Sequence, residues 1–359
     1  LLPVNMAYAN MGLTDDLSME TFYQLEFQET VIPGCGTFFS TNDYAADGCN
    51  NVSVGNGALS VGRNDEGKRL AKDDGQYGVA FRFLSEALGD TEIGFYAMNI
   101  HSRAPIASGT KNTVDEVAVG QAAGAALTQQ ALTQLGLTDP ADLPAQVLAD
   151  IQAGASSAAV AQIVATSTYF VEFPEDIKVT GLSFATNVGS IALSGEVSHK
   201  MDAPIQINGP MLIGTLVRGS SSATELNEVY NATQDGEIAE GYRLFDISQV
   251  QVTAIKFLDQ MAGASRMTLI GEAGYTFIHS FDEGVDAIKF GRSDIFGEFD
   301  PSDLTTDDGF VTEGSWGYRA RLVADYPDAF MGVNLQPVIA WSHDVEGYSP
   351  QPGGNFTEG

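Results

Sequence analysis

Apolar and polar residues alternate along much of this chain with a period of two. In residues 16–29, DLSMETFYQLEFQE, one set of alternate positions holds Leu17, Met19, Thr21, Tyr23, Leu25 and Phe27. The other set holds Ser18, Glu20, Gln24, Glu26 and Gln28, and only Phe22 breaks the pattern. Period two sends neighbouring side chains to opposite faces, so the stretch predicts a strand with one apolar and one polar face. The pattern returns in RMTLIGEAGYTFIHS, where Met267, Leu269, Ala273, Tyr275 and Phe277 oppose Thr268, Glu272, Thr276 and Ser280. In SWGYRARLVADY, Trp316, Tyr318, Ala320, Leu322, Ala324 and Tyr326 oppose Arg319, Arg321 and Asp325. In FMGVNLQPVIAWSHD, Met331, Val333, Leu335, Ile339 and Trp341 oppose Asn334, Gln336, Ser342 and Asp344.

Ten strands are predicted, at 3–11, 17–28, 76–85, 91–102, 176–187, 190–200, 248–258, 266–280, 315–326 and 330–344. Those at 91–102 and 176–187 alternate less cleanly. The connections between the ten are short and long in strict turn: 12–16, 86–89, 188–189, 259–265 and 327–329 against 29–75, 103–175, 201–247 and 281–314. A soluble sandwich has no reason to collect every long connection at one end. A transmembrane barrel does, with tight periplasmic turns and long extracellular loops. Strands of this length also suit a tilted crossing of the apolar layer. Tyr77, Phe83, Trp316, Tyr326, Phe330 and Trp341 stand as candidates for interfacial aromatic girdles. The expected fold is therefore all-β: an antiparallel transmembrane β-barrel, about ten strands of it here, forming one unit over residues 1–359. Its apolar faces meet lipid. Its polar faces place Glu20, Gln24, Glu26, Glu196, Glu272, Arg319, Arg321, Asp325, Asn334 and Gln336 along the lumen. Adjacent strands 266–280 and 315–326 suggest a Glu272–Arg319 or Glu272–Arg321 ion pair, with Arg82 and Lys200 nearby, because charges in a filled lumen need partners.

Composition narrows the partners. The chain is 44% hydrophobic and 18% charged, with a net charge of -30. Such acidity disfavours nucleic acid, whose phosphates need clustered Lys and Arg. It fits solvated acidic loops, and it leaves room for Ca2+ bridging them to an anionic surface. Acidic clusters occur at Asp73–Asp74, Asp282–Glu283, Asp294, Asp300 and Asp307–Asp308, but none completes a Ca2+-loop pattern. No other metal site and no cofactor is expected. Cys35 and Cys49 lie in a Gly/Asn/Asp-rich stretch with no histidine nearby, which favours a disulfide in an oxidising compartment. The chain opens on Leu1-Leu2-Pro3-Val4 without a basic leader, and the long uncharged run 151–171 is too rich in Gln, Ser, Thr and Gly to span a membrane as a helix.

Within the 103–175 connection, residues 113–167 predict a helical insert. Thr113 to Glu116 fits a capping box, Asp139–Pro140 ends the first helix, and two shorter helices follow, over 144–151 and 155–166. It reads as a cap on the barrel mouth, as an apolar ligand surface, or as a docking surface for a partner. Catalysis finds little support: no G-x-S-x-G elbow is present. His199, His279 and His343 each adjoin a serine (Ser198, Ser280, Ser342), but neighbours on a strand point to opposite faces and cannot pair. No enzyme activity is expected.

Several long stretches, LLPVNMAYANMGLTDDLSMETFYQLEF, PGCGTFFSTNDY, YFVEFPEDIKVTGLSFATNVG, GSWGYRARLVADYPDAFMGVNLQPVIAWSHDVEGY and the closing FTEG, resemble a proteobacterial outer-membrane family known as domain of unknown function 1302. The resemblance implies the outer membrane of a Gram-negative bacterium, and a longer protein of which this is the central portion. It implies further strands on both sides and a neighbourhood of outer-membrane lipid, periplasmic components and inner-membrane transporters. It also implies hydrophobic small molecules, of lipid, sterol or hydrocarbon class, as cargo. The alternative role is a non-catalytic surface barrel that scaffolds an assembly.

Overall fold

The computed structural model describes residues 3–38, 40, 43–54, 59–218, 223–284, 287–292, 309–350 and 356–358. Hairpins and long connections alternate along it. β1 (Met6–Gly12) and β2 (Leu17–Gln24) form the first hairpin, and the connection after it carries β3 (Asn51–Val54) and β4 (Leu59–Arg69). β5 (Tyr77–Ser85) and β6 (Thr91–Ile100) form the second. The next connection carries β7 (Ile106–Thr110), α1 (Glu116–Leu135), α2 (Ala145–Thr166) and β8 (Thr168–Glu172). β9 (Ile177–Val188) and β10 (Ile191–Gln206) are joined by a tight turn in which Gly189 takes φ 61°. After them come α3 (Gly209–Arg218), α4 (Thr224–Ala232) and β11 (Ile238–Ala239). β12 (Tyr242–Asp259) and β13 (Arg266–Ile278) make the fourth hairpin, and β14 (Gly314–Phe330), β15 (Val333–Leu335) and β16 (Val338–Glu346) close the series.

The hairpin strands build one antiparallel sheet of 11 strands, in the order β1-β2-β5-β6-β9-β10-β12-β13-β14-β15, with β16 also on β14. Sequence neighbours are sheet neighbours throughout, an up-and-down meander. The sheet is open among the described residues, with edges at β1 and at β15/β16. All ten predicted strands are present. The last is interrupted: β15 is only Val333–Leu335, and the main pairing resumes at Val338 beyond Pro337, which cannot donate to a ladder. β10 and β12 extend well into the stretch expected to be a connection, reaching Gln206 and starting at Tyr242. The reason is a bulge between Lys200 and Ala203, with Asp202 at φ 58°, which breaks the alternation while pairing continues to Gln206↔Tyr242.

The long connections are not loose. Three of them supply a second sheet, β11-β7-β8-β4-β3, in which β4 and β8 pair parallel. A core of Ile205, Ile207, Met211, Leu216, Leu226 and Tyr230 joins α3 and α4 to the ends of β10 and β13, and reaches Ile288, Phe290 and Val311 of the fourth connection. The Cys35–Cys49 disulfide is formed. The helical insert is simpler than expected. α2 is one helix, because Gly154 does not end it but receives Leu127 of α1, while Gly120 meets Ala159 and Gly124 meets Ala155. The residue that caps α1 is Asp115, whose side chain accepts from the Ala118 amide at 3.0 Å, rather than Thr113. By length and composition α2 could cross a membrane, a correction to the expectation that no helix here is apolar enough. In the fold it packs on α1, with Ala159, Ile163 and Val164 buried.

Candidate lumen surface

Register decides which residues share a face. Residues directly opposite on an antiparallel ladder lie on the same side, and that side alternates along each strand. Following the pairs from β1 to β16 gives two continuous surfaces. One carries Leu17, Met19, Val79, Phe81, Phe95, Leu182, Val197, Val250, Val252, Leu269, Tyr275, Trp316, Leu322 and Ile339. The other carries Asn10, Glu20, Arg82, Glu92, Ser183, Ser194, Glu196, Gln249, Gln251, Glu272, Arg319 and Ser342. Many apolar-face side chains are exposed, Ile339 at 66% and Leu182 at 54% among them. A sheet this wide with an apolar, exposed outside and a polar inside is the wall of a membrane-type β-barrel. Tyr23, Tyr77, Tyr275 and Trp316 stand at its long-connection end, and Phe83, Tyr326 and Phe330 at its turn end. Trp341 departs from the expected girdle: it pairs with Ala320 in mid-sheet.

Glu20, Gln24, Glu196, Glu272, Arg319, Arg321 and Asp325 lie on the polar face by register. Glu20 holds Arg82 at 2.5 Å and Asn10 at 3.1 Å. Glu196 accepts from the Tyr96 hydroxyl at 2.8 Å, across β9. Glu272 stands directly opposite Arg319 in the ladder and accepts from Thr253 at 3.4 Å. Arg319 also reaches Asp344 on β16 at 3.6 Å and donates to Ser342 at 3.3 Å, so its charge is shared with the strand on its other side. Asp325 accepts from Gln336 at 2.7 Å. Two further expected lining residues lie at the ends of the sheet. Glu26 lies beyond the end of β2 and accepts from the Asn5 amide at 2.8 Å. Asn334 is the middle residue of β15, where it accepts from the Asp328 amide at 2.9 Å.

Sequence patterning missed the rings on the polar face. Phe22, the residue that broke the alternation, lies over Gly78, whose missing side chain makes the space, with Met98 on its far side. Tyr96 lies over Gly181 in the same way. Phe356 is buried against Gly274, held there because its amide donates to the Ser349 hydroxyl at 2.9 Å. A glycine directly across from an aromatic was the available signal. Across β6, β9, β10 and β12 on this face, a hollow of about 320 Å³ is lined by Glu92, Ser183, Ser194, Glu196, Gln251 and Thr253.

The loop carboxylates are engaged with backbone: Asp73 accepts from the Phe27 amide at 2.9 Å and Asp282 from the Gly284 amide at 2.8 Å. Asp294, Asp300, Asp307 and Asp308 lie outside the described residues. Among the described residues the one cluster of three potential metal ligands is Cys35, Asp43 and Cys49, and its two sulfurs are bonded to each other. In the second sheet Glu172 is buried, accepts from the Ser108 hydroxyl and lies 3.6 Å from Arg69; burial pushes its carboxyl above the usual carboxylate range.

These features define the wall of a membrane-type β-barrel whose polar face carries charged side chains and aromatic rings. Over residues 1–359 the chain matches the family described as protein of unknown function (DUF1302), and it belongs to that family. Among solved structures it is similar to the outer membrane channel DcaP of Acinetobacter baumannii, at 8% identity and a TM-score of 0.34, over 94% of this chain and 56% of that one. The chain thus spans just over half the length of that channel. No curated protein matches it.

Proposed function

We propose that this chain forms the wall of an outer-membrane channel of a Gram-negative bacterium, and that its cargo is a hydrophobic small molecule of lipid, sterol or hydrocarbon class. The observation that carries the reading is the separation of faces, kept through every strand from β1 to β16. A polar interior alone would suit polar solutes. Here, however, Phe22, Met98 and Tyr96 form an apolar track across β2, β5, β6 and β9. An amphipathic molecule can lay its body on that track and its polar end on Glu20, Arg82 or Glu196.

The α1–α2 hairpin supports capture. Between Asp115–Glu116 and Asp139 the chain has no charged residue, and α2 has only Asp150. Val117, Leu135 and Leu148 of the hairpin are exposed. Cargo would be captured by the cap, pass along the track or through a lateral opening, and leave on the periplasmic side toward transporter components. Such passage is passive and needs no catalytic residue and no cofactor. In lipid the β1 and β16 edges must be paired to complete the wall, since unpaired backbone groups cost several kcal/mol each there.

The test is mass spectrometry of an organic extract from the detergent-purified protein, beside a porin purified identically. A specific apolar compound near one per barrel is expected. An extract matching the porin's sinks the cargo assignment and leaves the scaffold role, which stoichiometric co-purification with a partner would then support.

A further inference from the structure

On the apolar face, polar side chains of two successive strands and of the residue just after a third meet at the long-connection end. Ser248 of β12 pairs across the ladder with His199 of β10 on one side and Phe277 of β13 on the other, and His279 follows Phe277 by two residues on the same face. The His199 Nδ1 to Ser248 Oγ distance is 3.0 Å, and the Ser248 Oγ to His279 Nε2 distance is 2.8 Å. The two imidazoles pack edge to face with centroids 5.4 Å apart, and the Phe277 ring meets His279 edge-on at 4.9 Å. All three polar side chains are half-buried.

The depth of this cluster matters. The next row of the same face toward the turns is Leu182, Val197, Val250, Tyr275 and Trp316. Beyond the cluster, away from the turns, lie the Lys178–Asp202 ion pair, at 3.5 Å, and Asp246. Along β12, Ser248 stands 11 residues from the turn end at Asp259. That is about 36 Å of strand, or roughly 26 Å of height at a tilt near 45°, the outer boundary of an apolar band about 25 Å tall. Ester carbonyls of lipids reside at that boundary. A serine hydroxyl has one proton to give. It donates to one imidazole and receives from the other, so one of the two rings carries its proton on the nitrogen facing Ser248 and the other does not.

We propose that Ser248 is a lipid-facing nucleophile and His279 its general base, hydrolysing acyl esters of outer-leaflet lipids. Ser248 Oγ would attack the ester carbonyl, forming a new O–C bond while its proton passes to His279 Nε2. Collapse breaks the bond to the lipid alcohol, which leaves with that proton. Water then attacks the acyl-serine, His279 takes a proton from it and returns it to Ser248, and a fatty acid departs. His199 holds Oγ between the two rings as a positioning residue. The proposal rests on the apolar face meeting lipid, not on the cargo, so its failure leaves the transport reading untouched.

The test uses the full chain in detergent and in phosphatidylethanolamine vesicles, treated with an alkyl fluorophosphonate that modifies activated serines. Mass spectrometry should map an adduct to Ser248 approaching one per chain, and the vesicles should release fatty acid. Ser248→Ala should abolish both. His279→Gln keeps an acceptor at that position but cannot carry the proton, so it should lower both by at least about a hundredfold. A folded wild-type protein without a Ser248 adduct, or a His279→Gln variant labelled at the wild-type rate, overturns the proposal. The wild-type mapping decides it even if a variant fails to fold.

Discussion

The two faces of the sheet make opposite demands on a new charge, and Val252 with its neighbour Gln251 tests this on adjacent residues. Val252 is on the apolar face of β12, between Gly195 and Ala273, and is 40% exposed. If water covered that face, an arginine there would change stability by no more than about 0.5 kcal/mol, as at ordinary surface sites. In a bilayer the answer differs. Val252 lies seven residues from the turn end at Asp259, about 23 Å along the strand and roughly 16 Å up a band about 25 Å tall. An arginine facing lipid near the midplane costs about 2–4 kcal/mol. This position is somewhat off centre, so about 2–3 kcal/mol is expected for Val252→Arg.

Gln251 points the other way and pairs in register with Glu196. Gln251→Arg gains a carboxylate neighbour in a wet lumen and should stay within about 1 kcal/mol of the parent. The assay is urea unfolding in bilayers, followed by the fluorescence of the two tryptophans, Trp316 and Trp341. The difference between the variants, about 1 kcal/mol at the least, corresponds to a factor of roughly 5 or more in the unfolding equilibrium. Equal losses in both, or a Val252→Arg variant as stable as the parent, would refute the assignment of faces.

Three further outcomes follow from the cap and lumen. Replacing Cys35 and Cys49 by serine opens the bridge, whose loop closure is worth about 3 kcal/mol on the chain-entropy model, and limited proteolysis should then cut within residues 25–76. Glu172 has a carboxyl raised by burial, against which the Ser108 bond and Arg69 work. The folded state therefore binds its proton more tightly than the unfolded state does. Cap stability should be greatest below the ordinary carboxylate value of about 4.3 and fall as pH rises from there to the raised value. Hydrogen exchange of β7 and β8 should show this slope in the parent and lose it in Glu172→Gln. Tyr96→Ala removes the ring lying over Gly181 and frees Glu196, so single-channel conductance should rise with no loss of fold. Unchanged conductance would mean that Tyr96 does not narrow the lumen.

The wall was legible because a long strand with two different solvents repeats one instruction every second residue. Even its exceptions had local causes: Phe22 needed Gly78 opposite it, and the bulge at Lys200/Ala203 reversed the phase of β10. The contacts across strands were harder to read. Alternation turns Ser198 and Ser280 away from the histidines beside them in sequence, but it places Ser248 on the same face as both His199 and His279, which only the register reveals. Arg319 had Glu272 as its obvious partner in the preceding strand, and Asp344 became visible only once β16 was placed against β14.

The cap was the least legible part, and the reason is physical. Most of its strands are short, β11 being only Ile238–Ala239, and two of its pairings, β11 with β7 and β4 with β8, join different connections. β4 pairs with β8 at Gly62↔Thr168, with two barrel strands and two helices between them in sequence. No local periodicity encodes such a pairing; it exists because the barrel delivers the ends of its connections to one rim. The order of causation runs from wall to cap. A meander fixes where each long connection begins and ends, this proximity removes most of the closure entropy of nonlocal pairing, and short strands then suffice to weave three connections together. Conversely, the same weave ties β2, β6 and β10 to one another above the membrane, so any widening of the lumen must either move the cap as a unit or unpair β4 from β8.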